Sequence, residues 1–121
     1  VIENDDSPNE YSVKDLYEGV YKKIGIPVTF DYFHHKFNTG GQTEEEALRL
    51  AATTWPENVP QCCHYSESRR KEKLDESIRP QAHSDIIYDE IKTYGLEPDI
   101  VIEAKLKEQA IFNYGKTKTI C

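Results

Sequence analysis

The sequence predicts an α/β fold with parallel strands, and three observations lead to this prediction. Short runs of β-branched and aromatic residues alternate with longer segments whose apolar residues recur at helical spacing. Such alternation is typical of a parallel sheet with right-handed crossovers. Each predicted strand also closes on an acidic or histidine side chain. No Gly-x-Gly-x-x-Gly segment follows a strand, which disfavours a nucleotide-binding Rossmann fold.

Four segments have the composition of short buried strands. They are the opening residues 1–3 and the runs 26–30, 59–66 and 98–103. Each strand is followed by a helical segment, so the chain predicts four βα units. Four such units correspond to half of an eightfold barrel, which needs about 250 residues.

Four segments predict the helices between and after these strands. Ser12 and Thr43 each begin a segment that resembles a capping box, and Gly25 and Pro56 end those two helices. His83 opens a third helical pattern that ends at Gly95. A closing helix is predicted over 104–114, and the charged run 67–81 is predicted to be a loop.

The strand ends carry the residues that predict chemistry. Glu3, Asp31, His64 and Glu103 each fall at the carboxyl end of a different predicted strand. These ends meet on one face of a parallel barrel, where ligands bind. Grouped carboxylates repel one another unless cations neutralise them, and a mixed oxygen and imidazole set suits Mn, Zn or Fe better than calcium. Two histidines just beyond strand ends are further candidate ligands: His34 and His83.

Each residue also has an ordinary structural interpretation when taken alone. Asp31 could be a helix cap, and His64 could be a core histidine whose ring nitrogens are hydrogen-bonded. Glu103 could form a surface ion pair with Lys105, and Arg69 could belong to a solvated loop. The occurrence of ligand-type residues at all four strand ends favours a shared site over four separate explanations.

Charge and hydropathy limit the remaining possibilities. The net charge of −7 disfavours nucleic acid as a partner unless bound cations neutralise several of the acids. No apolar run approaches the roughly 20 residues that a membrane span requires, and no basic-then-apolar leader is visible. We therefore expect an intracellular location.

Several blocks of the sequence, in order, resemble the conserved blocks of UV damage endonucleases. They are Ile2-Glu3-Asn4-Asp5, Phe30-Asp31-Tyr32-Phe33-His34-His35, His64-Tyr65-Ser66-Glu67-Ser68-Arg69, His83-Ser84-Asp85 and Ile102-Glu103-Ala104-Lys105-Leu106-Lys107-Glu108. The resemblance implies that residues 1–121 are the C-terminal half of a TIM barrel. It also implies a DNA repair endonuclease that nicks UV-damaged double-stranded DNA 5′ of photoproducts with divalent metals, commonly Mn²⁺.

The resemblance also implies a role for individual residues. Glu3 and Glu103 are similar to bridging, catalytic carboxylates, and the other metal ligands would be Asp31, His34, His64 and His83. Ser66 and Arg69 would contact the DNA backbone on weaker grounds. Where the family usually carries a lysine that can be carboxylated to bridge metals, this chain has Cys62. The N-terminal half of the barrel, or a second copy of the chain, would supply the remaining ligands.

Two other functions fit the same pattern of residues. A metal-dependent sugar isomerase on the same scaffold would share carboxylate and histidine ligands, although no residue here specifically marks a sugar pocket. A non-catalytic remnant that serves as a binding module is the other alternative.

Overall fold

The computed structural model describes residues 1–107 of the chain. Within this range four parallel strands form one sheet in the order β1-β2-β3-β4, so each strand pairs with its neighbour in sequence. The strands are β1 (Ile2–Glu3), β2 (Val28–Asp31), β3 (Cys62–Tyr65) and β4 (Asp99–Ile102). The sequential parallel order is that of a segment of an α/β barrel wall, as the sequence predicted.

Two longer helices cover one face of the sheet. Helix α1 consists of Val13–Leu16, a π-helical segment Tyr17–Tyr21 and Lys22–Ile24, and helix α3 is Glu44–Ala52. Both predicted capping boxes are present, at Ser12 and at Thr43. Gly25 ends α1 with a φ of +73°, a conformation that glycine adopts without steric cost.

The hydrophobic core lies between these helices and the sheet. Val28, Phe30, Cys63 and Ile100 point from the strands into this core and are almost fully buried. Side chains alternate between the two faces of a strand, so the residues between them point to the opposite face. This second face carries Asp31 and His64.

Two shorter helices were not predicted. Helix α2 (Tyr32–Phe37) begins directly after β2, and Asp31 is its N-cap. Helix α4 (Arg69–Lys73) interrupts the charged run 67–81, which the sequence predicted to be a loop throughout. Ser68 caps α4 by accepting a hydrogen bond from the backbone N–H of Lys71.

The predicted helix over 83–94 was wrong, because residues 83–98 form loops and turns. Backbone N–H groups in this segment donate to two carboxylates from the region between β3 and this segment, rather than to helical carbonyls. Glu72 accepts from the N–H groups of Asp85 and Ile86. Glu67 accepts from those of Tyr88 and Asp89 at 2.7 and 3.1 Å.

The last described residues belong to a turn rather than to a regular element. The N–H of Lys107 donates to the carbonyl of Ala104 at 3.0 Å. The rest of the closing helix predicted over 104–114 lies outside the described residues. In the part of the chain that the structure describes, no helix has the length and apolar character needed to cross a membrane.

Candidate metal centre

Three predicted ligands converge at the carboxyl edge of the sheet. Glu3, Asp31 and His64 each offer a ligand atom, and these atoms all lie within 4.8 Å of one another. Strand register produces this arrangement, since Asp31 lies directly opposite His64 and Glu3 lies opposite Thr29 on β2. Asp31 and His64 are therefore level with each other on neighbouring strands, whereas Glu3 is two residues lower in register and its side chain reaches up to them.

The closest contact in this group joins Glu3 and His64. Oε2 of Glu3 lies 2.8 Å from Nδ1 of His64, yet this buried oxygen has no hydrogen bond of acceptable geometry from any described residue. The contact with His64 lowers the pKa of Glu3 below 4.5, against the opposing effect of burial. In turn, Glu3 raises the pKa of His64 above 6.5.

The two carboxylate oxygens of Asp31 have different partners. Oδ1 accepts hydrogen bonds from the backbone N–H groups of Phe33 and His34 at 3.0 and 2.9 Å, which is the cap of helix α2. Oδ2 lies 3.5 Å from Nδ1 of His34. Burial raises the pKa of Asp31 to about 6. The hydrogen bond from His34 and the charge of its imidazole oppose this rise, whereas the charges of Glu3 and Glu103 add to it.

Asn4 links the ends of β1 and β2 and orients His34. Its fully buried side-chain amide exchanges two hydrogen bonds with the backbone of Asp31, at 2.8 and 3.0 Å. Its backbone carbonyl lies 2.7 Å from Nδ1 of His34. A carbonyl can only accept, so Nδ1 of His34 carries the proton and Nε2 keeps the lone pair that a metal requires.

The environment of His34 is negative overall. Burial alone would lower the pKa of its imidazole, but the Asp31 carboxylate, the Asn4 carbonyl and the nearby acids Glu3 and Asp6 together raise it. Sequence reasoning did not identify Asn4 as part of this arrangement. Its only signal was its place directly after Glu3 in the block Ile2-Glu3-Asn4-Asp5.

Glu103 lies at the margin of the group. Its Oε1 is 3.7 Å from Nδ1 of His64, and its backbone N–H donates to the carbonyl of Tyr65 at 2.8 Å, which continues the β3–β4 pairing by one residue. Within residues 1–107 it forms no ion pair with Lys105, the structural alternative that the sequence left open.

His83 does not join the three central ligands among the described residues. Its backbone forms an antiparallel bridge with Ser68, and its ring packs edge-on against Phe33 with the ring centroids 5.9 Å apart. His83 and Glu103 line one cavity, so the loop after β3 borders the site on the side where Glu103 lies.

Ser66 and Arg69, the predicted DNA contacts, are both constrained by the fold. Ser66 is buried, and its Oγ has no hydrogen-bond partner among the described residues. The guanidinium of Arg69 is paired with the carboxylate of Asp85 and is only partly exposed. Neither residue presents a freely exposed donor.

The geometry and charge of the central group suit a divalent cation. Neighbouring ligands of an ion with bonds of about 2.1 Å are about 3 Å apart in an octahedral arrangement, close to the 2.8 Å between Glu3 and His64. The charges of Glu3 and Glu103 add to the rise that burial causes in the pKa of Asp31. A bound cation would relieve this repulsion among the three carboxylates. Carboxylate oxygen together with imidazole nitrogen favours Mn, Zn or Fe.

The fold and the site together define a class: a parallel α/β-barrel segment with carboxylate and imidazole side chains clustered at the strand ends. Residues 1–119 match the family model described as UV-endonuclease UvdE. The chain belongs to this family, which confirms the resemblance found in the sequence.

Individual relatives agree with the family assignment. The UV-damage endonuclease of Schizosaccharomyces pombe is 35% identical over 118 residues, covering 93% of this chain and 19% of that protein. The UV DNA damage endonuclease of Bacillus pumilus is 34% identical over 120 residues, covering 91% of this chain and 35% of that protein. The chain thus spans between about a fifth and about a third of the length of these relatives.

A solved structure supports the fold. The crystal structure of SacUVDE superposes with a TM-score of 0.70 at 33% identity, covering 91% of this chain and 36% of that one. The predicted fold class, parallel βα repeats belonging to an α/β barrel, is therefore confirmed.

Proposed function

We propose that this chain provides the C-terminal half of a barrel domain that nicks UV-damaged double-stranded DNA 5′ of the photoproduct, with divalent metal ions as cofactors. The observation that carries the proposal is the convergence of Glu3, Asp31 and His64 in a member of the UV-endonuclease family. Relatives named UV-damage endonuclease support the reaction class. The N-terminal half of the barrel, or a second copy of the chain, would complete the site.

Each residue of the site would have a defined role. Glu3 and Glu103 flank His64 and would act as bridging carboxylates, and Asp31 would provide a further oxygen. His34 would present Nε2 because Asn4 holds its Nδ1 proton. His83 would approach from the loop after β3. When bound, divalent cations activate water for attack on the phosphodiester and neutralise the charge that develops on the departing 3′ oxygen.

Manganese is the expected metal, and zinc is the principal competitor for the same donor set. Three central ligands come from this chain, so we expect it to bind Mn²⁺ without the rest of the barrel. Titration calorimetry with Mn²⁺, and separately with Zn²⁺, measures both affinities.

The decisive variant is Glu3→Gln, which keeps the shape of the side chain and removes its charge. We expect it to weaken Mn²⁺ binding by about tenfold or more, a loss of the size seen when ligand spheres are disturbed. Glu57→Gln is the matched control, since Glu57 is exposed and lies outside the site. Absence of Mn²⁺ and Zn²⁺ binding, or equal affinity in Glu3→Gln and the unmodified chain, would refute the proposed metal site.

A further inference from the structure

A cavity of about 640 Å³ lies beside the candidate metal centre. Glu103 is in its wall, and the same side chain reaches to 3.7 Å from His64. The cavity therefore adjoins the proposed site of cleavage. Its polar lining comes from two segments of the chain and consists of Arg79, Gln81, His83, Glu103, Lys105 and Lys107.

Backbone hydrogen bonds hold these two segments together. Two hydrogen bonds join the beginning and the end of the loop after β3. The N–H of Arg69 donates to the carbonyl of Ala82 at 2.9 Å, and the N–H of Ser84 donates to the carbonyl of Glu67 at 2.8 Å. The segment after β4 then joins this loop, since the N–H of Lys105 donates to the carbonyl of Ser84 at 2.9 Å. Backbone hydrogen bonds between the two segments therefore fix the position of the cavity walls.

The charge of the cavity is opposite to that of the molecule. The cavity is lined by three basic side chains, Arg79, Lys105 and Lys107, and by one carboxylate, that of Glu103. The whole chain, in contrast, carries a net charge of −7. In residues 1–107 none of the three cations forms a salt bridge, although Arg69 and Lys73 nearby both pair with Asp85. Three unpaired cations around one cavity attract an anion.

We propose that Arg79, Lys105 and Lys107 form a subsite for the DNA phosphodiester backbone that flanks the scissile bond. The subsite rests on the proposed nuclease function, because the DNA strand would run from the metal centre past Glu103 into this cavity. Lysine and arginine are the residues that contact backbone phosphates, and such contacts position the strand without reading its sequence. Gln81 adds an uncharged donor.

The test measures binding of a short fluorescent DNA duplex that contains one pyrimidine dimer, by anisotropy over a range of salt concentrations. The variant is Lys105→Gln with Lys107→Gln, and the matched control is Lys14→Gln with Lys23→Gln on helix α1. Both pairs remove two positive charges from exposed positions. Arg79→Gln is measured alone as a second, independent variant.

We expect the cavity double variant to bind the duplex at least about tenfold more weakly than the control and to lower the salt slope of log K by about 2, roughly one for each lost phosphate contact. Arg79→Gln should lower the slope by about 1. Equal losses in cavity and control variants, no loss in either, or no binding by the unmodified chain at low salt would overturn the subsite.

Mn²⁺ calorimetry separates this inference from the proposed function. The cavity variants should retain the Mn²⁺ affinity of the unmodified chain, whereas Glu3→Gln should not. Cavity-dependent DNA binding without Mn²⁺ binding would refute the metal-dependent function and leave the subsite standing. If the cavity variants bind both Mn²⁺ and the DNA duplex as well as the control variant does, the subsite is refuted and the metal-dependent function stands.

Discussion

At the residue scale, one carboxylate oxygen of Asp31 has a structural role and the other is available for the proposed metal. Oδ1 caps helix α2 through the N–H groups of Phe33 and His34, and Oδ2 faces the imidazole of His34. A carboxylate at the end of a strand therefore need not be assigned to either role alone. Substitutions that retain the cap and remove the charge can distinguish the two.

Asp31→Asn should weaken Mn²⁺ binding while leaving stability at pH 7 equal or higher. Asparagine caps a helix as well as aspartate does, and it removes a buried charge whose pKa is raised to about 6. Asp31→Ala should weaken Mn²⁺ binding too, and because it also loses the cap, its free energy of unfolding should be about 1 kcal/mol below that of Asp31→Asn. Urea unfolding and Mn²⁺ calorimetry measure the two effects. Equal stability of the two variants would contradict the capping role.

Glu67 is a second carboxylate whose burial has a testable consequence. It accepts hydrogen bonds from the hydroxyl of Tyr65 and from the N–H groups of Tyr88 and Asp89. Burial raises its pKa above 4.5, although those three donors oppose the rise. Its place in the loop after β3 makes it a support for the segment that carries His83.

Because the folded-state pKa of Glu67 is raised, its contribution to stability is complete below about pH 4.5 and is lost as the pH rises through the folded value. The free energy of unfolding of the unmodified chain, relative to Glu67→Gln, should therefore decrease as the pH increases from about 4.5. Urea unfolding of both proteins at pH 4 to 8, with metals removed by a chelator, measures this difference. A difference that stays constant or grows with pH would show that the carboxylate is favoured in the folded state.

At the scale of elements, helix α1 depends on a contact with a distant turn. Ser12 caps the helix by accepting from the N–H of Asp15 at 3.2 Å, and the Asp15 carboxylate accepts from the N–H of Ser12 at 3.0 Å. Gly40 lies against this cap: a Cβ built on it would be 2.5 Å from Oγ of Ser12. The neighbouring Gly41 has open space around the same position.

Gly40→Ala and Gly41→Ala form a matched pair for this contact. Both glycines have positive φ, +60° and +82°, so each alanine variant carries a backbone cost of about 1 to 2 kcal/mol. Only Gly40→Ala also displaces Ser12, whose cap is worth about 1 kcal/mol. Gly40→Ala should thus be the less stable variant by about 1 kcal/mol or more in urea unfolding, and equal stabilities would show that the turn does not support the cap.

At the scale of the whole molecule, the sheet has two edges among the described residues, β1 and β4. A closed barrel has none, and an open edge is usually paired or covered. The chain also matches only 36% of the SacUVDE chain. We therefore expect, as part of the proposed function, that other residues complete the barrel wall around the candidate site.

Under the proposed function this chain provides only part of the ligand set. We therefore expect the chain alone to produce little or no incision of UV-irradiated supercoiled plasmid in the presence of Mn²⁺. Addition of the preceding barrel segment of a relative should restore nicking, and the complete Bacillus pumilus protein is the positive control. Conversion of supercoiled to nicked plasmid on a gel is the readout. Clear incision by the chain alone would contradict the expectation of an incomplete site.

Local sequence patterns determined most of the architecture. The caps at Ser12 and Thr43, the stop at Gly25 and the four strand runs depend on residues close together in the chain, and all are present. The proximity of Glu3, Asp31 and His64 at the strand ends followed as well, since parallel register places those ends together.

The tertiary structure decided what depends on partners distant in sequence. Residues 83–94 have a helical pattern, but the carboxylates of Glu67 and Glu72 take the N–H groups that a helix would use. Asn4 could be assigned a role only when the ends of β1 and β2 were seen side by side. A periodic pattern reports local preference alone, whereas hydrogen bonds formed across 13 to 27 residues of chain depend on the folded arrangement.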